Sequence, residues 1–188
     1  MILDLKAYAK ENHVPIITDE GLELIKELSK KHQYQYVLEI GTAIGYSAIA
    51  MALFGLKVDS IERDQNMYHQ AMMNIQKANL SDRIYLIHHD ALSYQPDKKT
   101  YDIIFIDGAK SQYKNFFNTY EKYLNPHGMI ICDNLHFHHL DPNKVNRNTK
   151  QLLRKIHEFI LFLKEHPSFD TVFYDIGDGM SVSQRKKK

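Results

Sequence analysis

Asp107, Asp133 and Asn134 have the most distinctive chemistry in this chain. Each stands just past an apolar run, Asp102 to Ile106 or Met129 to Cys132, of the kind that forms a buried strand. Two carboxylates and an amide oxygen are hard donors, few enough to leave positions open. That suits Mg²⁺ or Mn²⁺ completed by water and substrate oxygens. Lys110 follows Asp107 by three residues. Beside a divalent cation its ammonium would lose a proton more readily and serve as a base; standing alone it reads as a solvated loop lysine.

A second set surrounds Gly41-Thr42-Ala43-Ile44-Gly45, which follows the apolar Val37 to Ile40 and precedes the apolar Ser47 to Phe54. Strand, glycine loop and helix together bring bare backbone against a nucleotide-like ligand. The dinucleotide pattern Gly-x-Gly-x-x-Gly is absent, and no Gly-Lys-Ser/Thr follows, so a polyphosphate is not expected. Glu62 ends the next strand, where a carboxylate can accept both ribose hydroxyls. Asp90 followed by Ala91 can flank an adenine; the alternative for Asp90 is a helix cap. Glycine loop, ribose acid and adenine acid describe a nucleoside pocket without a phosphate site, which S-adenosylmethionine matches.

Glu39, Glu62, Asp90, Asp107 and Asp133 thus all fall at the carboxyl ends of strands, on one edge of a parallel sheet. Open α/β sheets bind ligands at that edge. His136, His138 and His139 allow a zinc reading, but three histidines so close in one loop do not converge easily on one ion. The sole cysteine, Cys132, excludes an internal disulfide framework and a multi-cysteine zinc site; within an apolar run it reads as a buried, inert thiol.

The elements that must position these groups follow from periodicity. Helices are expected over Leu3 to Glu11, from a Thr18 cap to Lys31, over Ser47 to Phe54, from an Asp64 cap to Ala78, over Tyr113 to Leu124, and over Asn148 to Lys164. Strands are expected over Tyr36 to Ile40, Lys57 to Ile61, Arg83 to His88, Asp102 to Ile106 and Met129 to Cys132, the last preceded by a turn at Asn125 to Gly128. Thr171 to Asp175 and Met180 to Ser183 flank Gly177-Asp178-Gly179 as a closing hairpin. Alternating strands and helices call for a parallel sheet with right-handed crossovers.

With 188 residues, 44% hydrophobic and 25% charged, the chain reads as one domain over 1–188, with an N-terminal helical segment at 1–33 and a frayed basic tail at 184–188. A net charge of +1 gives no global signal for nucleic acid. Asp4 and Lys6 argue against a signal peptide and no apolar run is long enough to span a bilayer, so no membrane partner and a cytoplasmic location are expected.

Together these residues resemble the class I S-adenosylmethionine-dependent O-methyltransferases, in the cation-dependent branch that includes catechol and caffeoyl-CoA methyltransferases. The segments that carry the resemblance are Leu38 to Ser47, Ile61-Glu62, Asp90-Ala91, Phe105 to Lys110 with Tyr113, and Asp133-Asn134. It covers the chain from about Gln35 onward; the segment before the first motif is shorter than is usual in that family. The resemblance implies an α/β, Rossmann-like fold: a seven-stranded, mostly parallel sheet with helices on both faces, its last strand antiparallel inside the edge strand. It implies cofactor contacts from Glu39, Gly41, Thr42, Gly45, Ser47, Glu62, Asp90, Ala91, Asp107 and Tyr113. It also implies a metal on Asp107, Asp133 and Asn134, catalytic roles for Lys110 and Asp107, and a homodimer.

Within that branch the chain is most similar to bacterial tRNA 5-hydroxyuridine methyltransferases, through Arg147-Asn148-Thr149, Glu165-His166-Pro167 and Ile176 to Met180. The implied acceptor is the wobble nucleoside of a tRNA anticodon, whose 5-hydroxyl and 4-carbonyl offer a cation two neighbouring oxygens, as a catechol does. Lys144, Arg147, Lys150, Arg154 and Lys155, with Arg185 to Lys188, would then meet phosphates; the alternative is a solvated helix face. Small catechol-like phenols are a rival acceptor that shares every core residue. A non-catalytic adenosine-ligand binding module would keep Glu39, Glu62 and Asp90, with no need for Asp107, Asp133, Asn134 and Lys110 together.

Overall fold

The apolar runs assemble into one sheet in a computed structural model that describes residues 2–97, 100–135 and 145–187. Its strands are β1 (Tyr36–Ile40), β2 (Lys57–Glu62), β3 (Ile84–His88), β4 (Tyr101–Ile106), β5 (Leu124–Cys132), β6 (Phe169–Tyr174) and β7 (Met180–Arg185). Their order is β3-β2-β1-β4-β5-β7-β6. β7 runs antiparallel to both β5 and β6, while the pairs among β1 to β5 are parallel. The strand order reverses between β1 and β4, and such a switch point opens a crevice at the carboxyl ends of the strands.

Strands buried on both faces need cover on both. α1 (Ile2–Glu11), α2 (Asp19–His32), α3 (Tyr46–Leu53) and α4 (Gln65–Lys77) contribute to a core with Val37, Val58, Ile103, Phe105 and Ile131. α5 (Tyr113–Tyr120) and α6 (Arg147–Lys164) contribute to a core with Leu38, Ile104, Ile106 and Ile130, filled by Phe117, Phe159 and Phe169. The apolar stripe of α6 buries Ile156, Phe159 and Leu163 and leaves Arg147, Lys150, Arg154 and Lys155 exposed. Capping follows the sequence: the side chains of Thr18, Asp64 and Asn146 accept from backbone N–H groups of the helices they precede.

Three local expectations are corrected. Asn125 to Gly128 do not form a free turn before β5; they lie inside it, where the pairing with β4 slips between Tyr101 and Ile103. The extra residues bulge, and Asn125 Nδ2 anchors them by donating to Asp102 Oδ1 at 2.5 Å. Gly128 is needed there, because a Cβ would lie 2.7 Å from the Asp102 carbonyl oxygen. The tail is not frayed from residue 184. Gln184 and Arg185 extend β7, opposite Met129 and Phe169, and Arg185 is held by its guanidinium over the Phe169 ring and by donating to the Glu121 carbonyl at 2.6 Å. The helix expected to reach Leu124 tightens to a 3₁₀ turn at Glu121–Tyr123.

Candidate active site

Gly41 leaves β1 at φ +99°, a conformation that L side chains rarely adopt. A Cβ on Gly41 would lie 2.7 Å from the Asp107 carbonyl oxygen and 2.9 Å from Gly108 Cα, so only glycine lets the loop lie against the end of β4. Gly45, at φ +85°, caps α3 beside Ala71. The carboxylate of Glu62 fixes the loop from the end of β2: Oε2 accepts from Ala43 N at 2.9 Å and Oε1 from Asp64 N at 2.8 Å. Because Glu62 is only half-buried, further acceptor capacity faces the crevice.

The crevice is a cavity of about 360 Å³, within the range of small-molecule sites. Of the residues expected to build it, Gly41, Thr42, Ser47, Glu62, Asp90, Ala91, Asp107, Lys110 and Asn134 line it. Gly45, Glu39, Tyr113 and Asp133 do not, and each sits just behind a residue that does. Tyr113 is buried and donates its hydroxyl to the Asp133 carbonyl oxygen at 3.0 Å, which supports the end of β5. Asp90 Oδ1 accepts from Leu92 N at 2.8 Å, so this carboxylate caps a turn rather than a helix.

The second group converges at one end of this cavity. Asn134 adopts φ +61°, which turns its amide between Asp107 and Lys110. Its Nδ2 donates to Asp107 Oδ1 at 2.7 Å, and its Oδ1 accepts from Lys110 Nζ at 3.3 Å. Asp133 Oδ1 accepts from Asn134 N at 2.7 Å. Burial, reinforced by the charges of Asp133 and Glu39, pushes the Asp107 carboxyl well above the usual carboxylate range. Burial likewise pushes Asp133 up to about 6. A half-buried carboxylate and a buried one whose charge opposes its ionisation, next to an amide oxygen, are a donor set that a hard divalent cation would neutralise. Among the described residues no cluster of three or more His, Cys, Asp or Glu side chains forms a metal site; the third donor here is the amide. His136, His138, His139 and Lys144 lie outside the described residues. Cys132 is fully buried and its thiol is pushed up by desolvation, consistent with an inert core residue.

Glu39 lies beneath the glycine loop with no exposed surface. Ser60 Oγ donates to its Oε2, while Oε1 has no hydrogen-bond partner among the described residues. Burial pushes its carboxyl up to about 7, against the pull of the nearby Ser47 and Ser60 hydroxyls.

Sequence reasoning missed a wall of the cavity. Pro15, Ile16 and Ile17, in the loop before α2, line it with Tyr46, His89 and Phe116. The signal was an apolar triplet outside any helix, whose Ile17 is buried in the core beside Leu22 and Ile25.

Comparison with known proteins places these features among relatives. The family model described as O-methyltransferase matches residues 4–186. Caffeoyl-CoA O-methyltransferase of Populus kitakamiensis is 26% identical over 193 residues, covering 96% of this chain and 82% of that protein. Flavonoid 3',5'-methyltransferase of Vitis vinifera is 28% identical over 191 residues, covering 92% and 78%. A Staphylococcus aureus crystal structure provisionally described as a caffeoyl-CoA O-methyltransferase is 35% identical, covers 98% of this chain and 92% of its own, and superposes with a TM-score of 0.93.

Proposed function

The chain belongs to the O-methyltransferase family and is an S-adenosylmethionine-dependent enzyme, and from that premise we propose that it needs a divalent cation and methylates 5-hydroxyuridine at the wobble position of tRNA. The observation that carries the cation reading is the Asp107–Asn134–Lys110 chain with Asp133 behind it, at one end of the cavity that Glu62 and Asp90 also line. Glu62 would take the ribose hydroxyls, Asp90 and Ala91 the adenine, and Asp107, Asp133 and Asn134 the cation. Bound there, S-adenosylmethionine supplies an electrophilic sulfonium methyl, and the cation supplies a Lewis acid for two adjacent acceptor oxygens.

Lys110, as its neutral amine, would take the acceptor's hydroxyl proton and leave that oxygen as the nucleophile. Asn134 keeps Lys110 Nζ and the Asp107 carboxylate in register, so the amine that would accept the proton stays beside the oxygen donors. Pro15 to Ile17 and Phe116 exclude water from the transfer path. The tRNA reading is supported by the exposed basic face of α6, with Arg147, Lys150, Arg154 and Lys155. A homodimer in the cytoplasm is part of the same proposal.

Small catechol-like phenols are the second reading, favoured by the acceptors named for the poplar and grapevine relatives. The deciding experiment incubates the enzyme and methyl-labelled cofactor with tRNA from a strain that accumulates 5-hydroxyuridine. Label in that tRNA, lost as salt is raised, is the expected result. Efficient methylation of a simple catechol with no label in tRNA would give the substrate to the phenols.

A further inference from the structure

A parallel sheet normally carries helices on both faces. Among the described residues no helix stands between β3 and β4. On the face where α5 packs against β4 and β5, and α6 against β6, the neighbouring strands β2 and β3 are therefore left with a connecting turn alone. Side-chain alternation puts Lys57, Asp59 and Ile61 of β2 and Tyr85 and Ile87 of β3 on that face. Ala91 of the turn joins Ile61 and Ile87 in the core, but Tyr85 stays 65% exposed. An open cavity of about 310 Å³ remains at the amino ends of the strands, the end opposite the crevice. Tyr36, Lys57, Asp59, Arg83 and Tyr85 line it, and its size is within the range of small-molecule sites.

The chemistry of this cavity is ordered along the strands. Tyr101 is buried and donates its hydroxyl to Asp59 Oδ2 at 2.7 Å. Burial and the bond to Asp59 push that hydroxyl well above the usual tyrosine range, so it keeps its proton and remains the donor of the pair. A carboxylate has about four lone-pair sites, so Asp59 can still accept from a ligand. Asp59 stands opposite Tyr85 in the β2–β3 register, and a flat ring laid on Tyr85 turns its edge to the carboxylate. Two residues toward the amino end, Lys57 Nζ lies 5.8 Å from the Tyr36 ring centroid. Beside it Arg83 Nη1 donates to the Gly55 carbonyl at 3.2 Å. Asp82 shares this rim, so two cations against one acid leave it net positive. Ring platform, acceptor and cations in that order match a nucleotide. Of the RNA bases, guanine alone offers a carboxylate two adjacent donors, N1–H and the 2-amino group. We propose that this cavity is a second ligand site, which takes a guanine nucleotide with its ring on Tyr85, its Watson–Crick edge on Asp59 and its phosphate on Lys57 and Arg83.

The test is calorimetric titration with guanosine, inosine and adenosine 5'-monophosphates, in saturating S-adenosylhomocysteine so that the crevice is filled. Guanosine monophosphate should bind the wild type. Inosine monophosphate, which lacks only the 2-amino group, should bind about tenfold more weakly, the scale of one hydrogen bond to a charged group. Asp59→Asn, whose amide oxygen still accepts from Tyr101, should erase that preference. Tyr85→Ala, at an exposed position, should weaken all three nucleotides about tenfold through lost stacking. A free nucleotide and a guanine within RNA share this chemistry. Weaker retention of tRNA on filters by Tyr85→Ala would assign the site to RNA, and unchanged retention beside weakened monophosphate binding would assign it to the free nucleotide. No binding of guanosine monophosphate to the saturated wild type, or binding that neither substitution changes, would overturn the site.

Discussion

Replacing Gly41 by alanine separates two costs that this structure keeps apart. Gly41 and Gly55 share a φ of +99°, yet a Cβ on Gly55 meets nothing within 4 Å, whereas on Gly41 it lies 2.7 Å from the Asp107 carbonyl oxygen. Both substitutions impose the left-handed strain on an L residue, about 1–3 kcal/mol. Both also recover about 0.4–1 kcal/mol by restricting the unfolded chain. Gly55→Ala should therefore cost about 1–2 kcal/mol net. Gly41→Ala adds overlap with backbone that cannot rotate aside, about 1–3 kcal/mol more, a large part of a typical stability of about 5–15 kcal/mol. Relief requires β1 and β4 to part at the switch point, which shifts Asp107 and widens the cavity. Urea unfolding gives both costs, and calorimetry with S-adenosylhomocysteine reports the cavity. Gly55→Ala should bind as the wild type does and Gly41→Ala should lose most affinity. Equal stability losses in the two variants, or intact binding in Gly41→Ala, would refute the close approach on which the site is built.

Glu62→Ala should weaken cofactor binding strongly, because the carboxylate holds Ala43 N and, on the proposed function, would accept the ribose hydroxyls; unchanged calorimetric affinity in a folded variant would remove the pocket assignment. Glu39 is protonated in the folded chain up to about pH 7, above its usual 4.5, so between those values the folded state binds the extra proton and stability falls as pH rises. Its share of that fall is about 3 kcal/mol, complete above the folded pKa. Urea unfolding of Glu39→Gln across this window should show a correspondingly shallower fall, and an identical slope in both proteins would contradict the buried carboxyl. Reversing Arg154 and Lys155 to glutamate should harm tRNA methylation and spare turnover of a small catechol; an equal effect on both acceptors would remove α6 from the RNA path.

The ligand end of the sheet was legible because a strand's carboxyl end is marked by composition: apolar run, then acid, at Glu62, Asp107 and Asp133. Glu39 shows where that cue stops. It lies within β1, opposite Ser60 of β2, and the sheet's side-chain alternation turns it toward the core beneath the loop, not toward the crevice. Placing it needs the register between strands, which no local pattern carries. Asn134 was named from its residue type, but the left-handed backbone that swings its amide between Asp107 and Lys110 depends on the contacts around it. The turn chemistry of Asn125 to Gly128 was read correctly as irregular and wrongly as an end, because a bulge and a turn use the same residues. The wall at Pro15 to Ile17 was missed because its role comes from a contact between distant parts of the chain, with Gly177 packed against Thr18 beside it.

The central claim is that Asp107, Asp133 and Asn134 hold a cation on which methyl transfer depends, while the cofactor is held elsewhere in the cavity. The most direct measurement is label transfer to a catechol and to 5-hydroxyuridine-containing tRNA by wild type and Asp133→Ala, with and without EDTA, alongside binding of S-adenosylhomocysteine. Turnover should vanish in EDTA, return with Mg²⁺ or Mn²⁺, and be absent in Asp133→Ala at any metal concentration, while S-adenosylhomocysteine binds throughout. Full turnover in chelator, or in the Asp133 variant, would contradict the account.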